Sequence, residues 1–165
     1  MAYEVIEVGG DPEWDEVGFT VFRPKGRKHH QFEEVMDDYT PAQGDEDLED
    51  ALLELLPRLR SVATALGLHP PTVVLANLSD HDHFARFVDG TEGGSPVLLL
   101  DPAPTRQFFN PSQFVWESLA HELGHAHFRS RGVEYEPEEE DAVEGFALTG
   151  DLTLLSAYEA GRQNG

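Results

Sequence analysis

Residues 114–126 read Phe114-Val115-Trp116-Glu117-Ser118-Leu119-Ala120-His121-Glu122-Leu123-Gly124-His125-Ala126. The apolar residues Leu119, Ala120, Leu123 and Ala126 recur at helical spacing, which predicts a helix with one face in the core. Asn110-Pro111, followed by Gln113, is a helix start: a side-chain cap, a proline at the first helical position and a capping-box partner. The helix is expected to run to about Arg131 and stop at Gly132, with Arg129 and Arg131 in the last turn, where the dipole favours cations. His121 and His125 are four apart, so their imidazoles project from one face about one turn apart. That geometry lets two nitrogens bind one zinc ion. Glu122 lies about 100° further round the helix. From there it can take a proton from a water activated by the metal and pass it to a leaving amine, the chemistry of peptide hydrolysis. Gly124 lets a neighbouring element pack closely between the two histidines.

Such a site needs a third protein ligand. The chain has no cysteine, so thiolate ligands, disulfides and a cysteine nucleophile are excluded together. No histidine follows His127, which leaves a downstream carboxylate: Glu134, Glu136, Glu138, Glu139, Glu140, Asp141 or Glu144. A last helical region is expected from near Pro137, broken at Gly150-Asp151, with Val143, Phe146 and Ala147 on its buried face. Glu140, one turn before Val143, falls near that face and is the preferred ligand; Glu144 and Glu139 are the alternatives. Glu144, one turn beyond Glu140, is expected to accept a hydrogen bond from a ligand imidazole. Glu138 and Asp141 are expected to face water. Tyr135 and His127 are both candidates to donate a hydrogen bond to an oxyanion. His81 and His83, two apart in a loop, read as exposed side chains rather than a second metal site. Asp101 ends a strand beside the expected cleft and suits a turn.

Three blocks carry a resemblance to a known family. They are the apolar strand Pro96-Val97-Leu98-Leu99-Leu100, the helix containing His121-Glu122-Leu123-Gly124-His125, and Glu140-x-x-Val143-Glu144-x-Phe146-Ala147. Together they resemble the glutamate-zincins, and within them look most like the ImmA/IrrE family of small intracellular metallopeptidases. In that family the third block reads Glu-x-x-Ala-(Asn/Asp)-x-Phe-Ala, and its Glu is the third zinc ligand. The resemblance spans roughly residues 70–155. It implies a minimal zincin-like domain, one zinc ion per chain held by His121, His125 and Glu140, Glu122 as the catalytic base, and a protein or peptide substrate cleaved inside the cell.

The rest of the chain is read around these blocks. Its 165 residues suit one domain with one core. Residues 3–8 and 17–22 are expected strands, joined by a turn at Gly9-Gly10-Asp11-Pro12; Arg23 to His30 is the only basic segment and reads as a solvated loop. An acidic, mobile loop is expected over 37–47, and Asp45 precedes a helical pattern from Leu48 to Leu66 that Gly67 stops. Pro57 is expected to kink or split that helix. Residues 72–76 and 96–100 are expected strands of a small mixed sheet, with 77–95 irregular, so the fold class is α+β. The sheet is expected to pack on the motif helix and on the helix carrying Glu140, with the strand at 96–100 forming the edge of the cleft. Residues 1–70 match no recognised pattern.

Net charge is −21, from 32 acidic against 11 basic residues. So acidic a surface repels nucleic-acid phosphates and anionic membranes, and neither is an expected partner. With no apolar run long enough to span a bilayer and no secretory signal, a cytoplasmic location is expected. Two other functions fit the same residues: a zincin-like module that binds without cleaving, and an acidic protein that mimics DNA or meets a basic partner.

Overall fold

The computed structural model describes residues 3–8, 13, 18–24, 39–79, 84–88, 96–103 and 111–163. Its centre is built by the two apolar runs of the sequence. Strands β4 (Thr72–Asn77) and β6 (Val97–Leu100) lie side by side in parallel, with Thr72 opposite Val97 and Leu75 opposite Leu100. Such strands are covered on both faces, which is why they read as continuous rather than alternating apolar runs. Val73, Leu75, Leu98 and Leu100 enter the main core, while Val74, Ala76, Val97 and Leu99 join a second cluster on the other face.

The remaining strands extend this pair. β1 (Tyr3–Val8) pairs antiparallel with β2 (Phe19–Pro24), which pairs antiparallel with β4. β3 (Thr40–Pro41) adds two residues to β4. β5 (Ala85–Val88) pairs antiparallel with β6, giving a six-stranded mixed sheet in the order β1-β2-β4-β6-β5. The architecture is therefore α+β.

Several expectations are corrected here. The second strand lies two residues later than the pattern 17–22 suggested. The segment 77–95 contains β5, too short for a four-residue pattern to announce, which gains its strand hydrogen bonds from β6. The strand at 96–100 is consequently interior, and among the described strands the edge beside the motif helix is β5. The expected loop over 37–47 holds β3 and the start of a helix at Glu46. The turn at residues 9–12, the segment 25–30, the cap at Asn110 and the pair His81 and His83 lie outside the described residues.

Among the described residues four helices cover one face of the sheet and extend from it. α1 (Glu46–Ala65) starts where Asp45 accepts a hydrogen bond from the Leu48 amide at 2.8 Å, a cap worth about 1 kcal/mol. Leu52, Leu56, Leu59 and Ala63 form its fully buried stripe. The helix runs unbroken through Pro57, because Pro57 and Leu53 one turn earlier both lie on the exposed side, where an unpaired carbonyl meets water. α2 (Pro111–Ser130) is the motif helix and packs on α1, β5 and β6. α3 (Glu139–Thr149) lies chiefly against α2, and α4 (Thr153–Gln163) against α3, so the helix carrying Glu140 meets the motif helix rather than the sheet. The break between α3 and α4 falls at Gly150, in the left-handed region at φ 74°, where a side chain is strained. Among the described residues no helix is long and apolar enough to cross a membrane.

Candidate metal centre

α2 is buried through Val115, Leu119, Ala120 and Leu123, which fixes its rotation and turns His121, Glu122 and His125 toward the flank that faces α3. α3 is held against that flank at Gly124. A Cβ there would lie 3.0 and 3.2 Å from the two methyl groups of Val143, so a larger residue must push the valine or the helix back by a few tenths of an ångström. The buried stripe of α3 is Glu139, Val143, Phe146 and Ala147. Glu140 sits at the edge of that stripe, half-buried, and emerges into the cleft.

The three side chains then converge. Nε2 of His121 lies 3.0 Å from Oε2 of Glu140, and Nε2 of His125 lies 3.3 Å from the same oxygen. The two imidazoles stand edge to face, 4.6 Å between centroids. One ligand atom from each of the three residues lies within 4.8 Å of the others, the geometry of a group that can hold a metal ion. Tetrahedral coordination at bond lengths near 2.05 Å separates neighbouring ligand atoms by about 3.3 Å, close to both nitrogen–oxygen distances.

The donor chemistry fits a cation. Nδ1 of His125 donates to the carboxylate of Glu139, whose other oxygen faces the guanidinium of Arg129. With Nδ1 committed to Glu139, Nε2 is the nitrogen that His125 turns to the cleft and to Glu140. A lone pair and a carboxylate oxygen at 3.3 Å repel unless a proton or a metal cation lies between them. Burial alone would raise the pKa of Glu140, but the charges of His125 and His121 and hydrogen bonds from His121 and Tyr135 outweigh it and hold the carboxyl below its ordinary value.

Around this group lies an open cleft of about 310 Å3, lined by His121, Glu122, His125, Arg129, Tyr135 and Glu140. Tyr135 is largely exposed and donates its hydroxyl to Oε1 of Glu140 at 3.0 Å. That hydrogen bond raises its pKa first of all, with some burial and the charges of Glu140 and Glu139 adding to it, so the hydroxyl stays a donor at neutral pH.

Two expected roles are corrected. Glu144 is not the carboxylate on His125: it is exposed and lines a neighbouring pocket with His121, and the buried carboxylate of Glu139 takes Nδ1 of His125 instead. The cause is helix phase, since Glu139, Val143 and Phe146 form the i, i+4, i+7 stripe that faces α2. His127 is not near the cleft; its Nδ1 lies 3.1 Å from the Leu66 carbonyl and ties α2 to the end of α1. Of the two oxyanion candidates only Tyr135 lines the cleft. Arg129, which sequence reasoning treated as a helix-end cation, joins the site through Glu139. Asp101 takes the turn role, buried and accepting from the Leu78 and Ala103 amides at 3.0 Å.

The chain matches no protein-family model, no curated protein and no solved structure.

Proposed function

We propose that this chain is a zinc-dependent endopeptidase of the glutamate-zincin type, similar to the ImmA/IrrE peptidases, acting on a protein or peptide substrate. The observation that carries the reading is the convergence of both Nε2 atoms on one oxygen of Glu140 in a cleft that Glu122 also lines. His121, His125 and Glu140 are the residues that would hold zinc, with His125 oriented by Glu139. Zinc bound there would supply Lewis acidity, lowering the pKa of a water and polarising a peptide carbonyl. Glu122, one residue from His121 and on the cleft side, accepts the water's proton as attack proceeds and delivers it to the leaving amine. Tyr135 stands across the cleft with a hydroxyl able to turn from Glu140 to the oxyanion. Among the described strands β5 is the edge beside α2, where an extended substrate can add as a further strand.

The rival readings, a module that binds without cleaving and an acidic interaction protein, separate in one experiment. The purified protein is expected to carry close to one zinc per chain and to cleave peptides until a chelator is added. Glu122→Gln is expected to keep the metal and lose cleavage, because glutamine nearly preserves the shape but accepts no proton. Zinc without cleavage in the wild type indicates a binding module; no zinc and no affinity for it sinks the metal reading altogether.

A further inference from the structure

A second pocket, of about 230 Å3, opens on the other side of His121. It continues the two stripes that build the metal centre, each by one turn. Glu117 stands one turn before His121 on α2, and Glu144 one turn after Glu140 on α3. Its walls are Phe114, Ala147 and Leu148, the last 58% exposed. Phe114 in turn meets Phe84, the residue before edge strand β5, with ring centroids 5.6 Å apart. A chain lying along β5 past His121 therefore has this pocket within reach of a side chain.

The chemistry of the pocket is selective. Glu117 takes a hydrogen bond from the neutral amide of Gln113, and neither Glu117 nor Glu144 forms an ion pair among the described residues. The arginines near the metal centre are engaged elsewhere, Arg129 by Glu139 and Arg131 by Glu159. Among the described residues, two carboxylates without an ion-pair partner thus stand at a slot with apolar walls. An acidic side chain is repelled there. An aliphatic one covers the walls but leaves both charges unanswered. A lysine or arginine lays its methylene stem on Phe114 and Leu148 and brings its cation to the two carboxylates.

We infer that this pocket is the specificity pocket of the cleft and takes a lysine or arginine side chain of the substrate next to the scissile bond. The inference rests on the peptidase reading for the word scissile, but not for the binding. Its test is a fluorescent peptide series in an alanine and glycine background, each position in turn carrying lysine, norleucine or glutamate. Cleavage is measured with the zinc-loaded wild type, and equilibrium binding with the Glu122→Gln protein. At one position only, lysine is expected to exceed norleucine about tenfold and glutamate on the order of a hundredfold. Glu117→Gln/Glu144→Gln should abolish that preference. Asp50→Asn/Glu54→Gln, an equal charge change on the exposed face of α1, should retain it. Cleavage without a basic preference, or with one that the pocket variant leaves intact, overturns the pocket and spares the peptidase reading. No cleavage, but a position-specific preference in binding that the pocket variant removes, overturns the peptidase reading and keeps the pocket as a site for a basic side chain. Neither cleavage nor preferential binding overturns both.

Discussion

Glu139 accepts a hydrogen bond from Nδ1 of His125, and its carboxylate is wholly buried between that imidazole and the guanidinium of Arg129. One residue later, Glu140 faces Nε2 of the same imidazole. Adjacent carboxylates on α3 thus address opposite edges of one ring, the first orienting it and the second facing Nε2.

Glu139→Ala is therefore expected to weaken zinc binding by about 10–100-fold, as changes behind a ligand do. It should also destabilise the fold by about 1–3 kcal/mol, because the His125 N–H loses its buried acceptor. Arg129 is partly exposed and turns to water, which keeps the cost below that of a fully buried orphaned charge. Zinc dissociation constants by chelator competition and denaturant unfolding of the metal-free protein check the two effects separately. A neutral result in both would mean that the buried carboxylate is incidental.

Glu140→Ala should lose zinc affinity more completely than Glu139→Ala, since on the proposed reading it removes a ligand oxygen rather than its support. Glu144→Ala should bind zinc like the wild type, because its carboxylate is exposed and turned to the neighbouring pocket. Chelator competition on the three variants gives the order Glu140, Glu139, Glu144. If Glu144→Ala proves the most damaging, α3 binds metal in a rotation different from the one described.

What was legible in the sequence follows the strength of local signals. The motif helix, the strands at 72–77 and 97–100 and the breaks at Gly67, Gly132 and Gly150 rest on long apolar runs or on glycines whose positive φ excludes other residues. His121, Glu122 and His125 sit on one such helix, so their common face could be read from spacing alone. β3 and β5 were not legible, because elements of two and four residues take their identity from a partner strand far away in the chain. The exchange of roles between Glu139 and Glu144 turned on about one residue of helix phase. Val143, Phe146 and Ala147 together mark a broad stripe, and only the contact of α3 with Gly124 fixes which of its edges faces the histidines.

Salt should stabilise the protein. At a net charge of −21, with Arg23, Arg129 and Arg131 already paired to Glu4, Glu139 and Glu159, most carboxylates have no cation to meet. Screening shortens the reach of their mutual repulsion from about 10 Å at 0.1 M salt to about 3 Å at 1 M. The melting temperature of the metal-free protein should rise with sodium chloride, by about 3 °C for each kcal/mol of relief in a chain of this size. A flat or falling curve would remove surface repulsion as a significant term.

The closest test of the helix pair is Gly124. A methyl group at this position meets both Val143 methyls, at 3.0 and 3.2 Å, so rotating the valine relieves at most one of the two contacts. Val143 is also fully buried and, being β-branched, holds one strongly preferred rotamer in a helix. The backbones must therefore separate by a few tenths of an ångström. Alanine gains up to about 1 kcal/mol over glycine in helix propensity, against about 1–3 kcal/mol for overpacking. Gly124→Ala should thus lose about 1 kcal/mol net. It should also weaken zinc binding, because Glu140 lies one turn from Val143 and moves with α3. Val143→Ala alone should cost about 2 kcal/mol for the lost methyls and the void they leave. In the double variant the new methyl at 124 enters the space vacated at 143. Its destabilisation should fall short of the sum of the single changes by more than 1 kcal/mol, with zinc affinity partly restored. Denaturant unfolding of the four proteins of the cycle, with zinc titrations beside it, decides the matter. Additivity within about 0.5 kcal/mol would show that the contact at Gly124 does not set the spacing of α2 and α3.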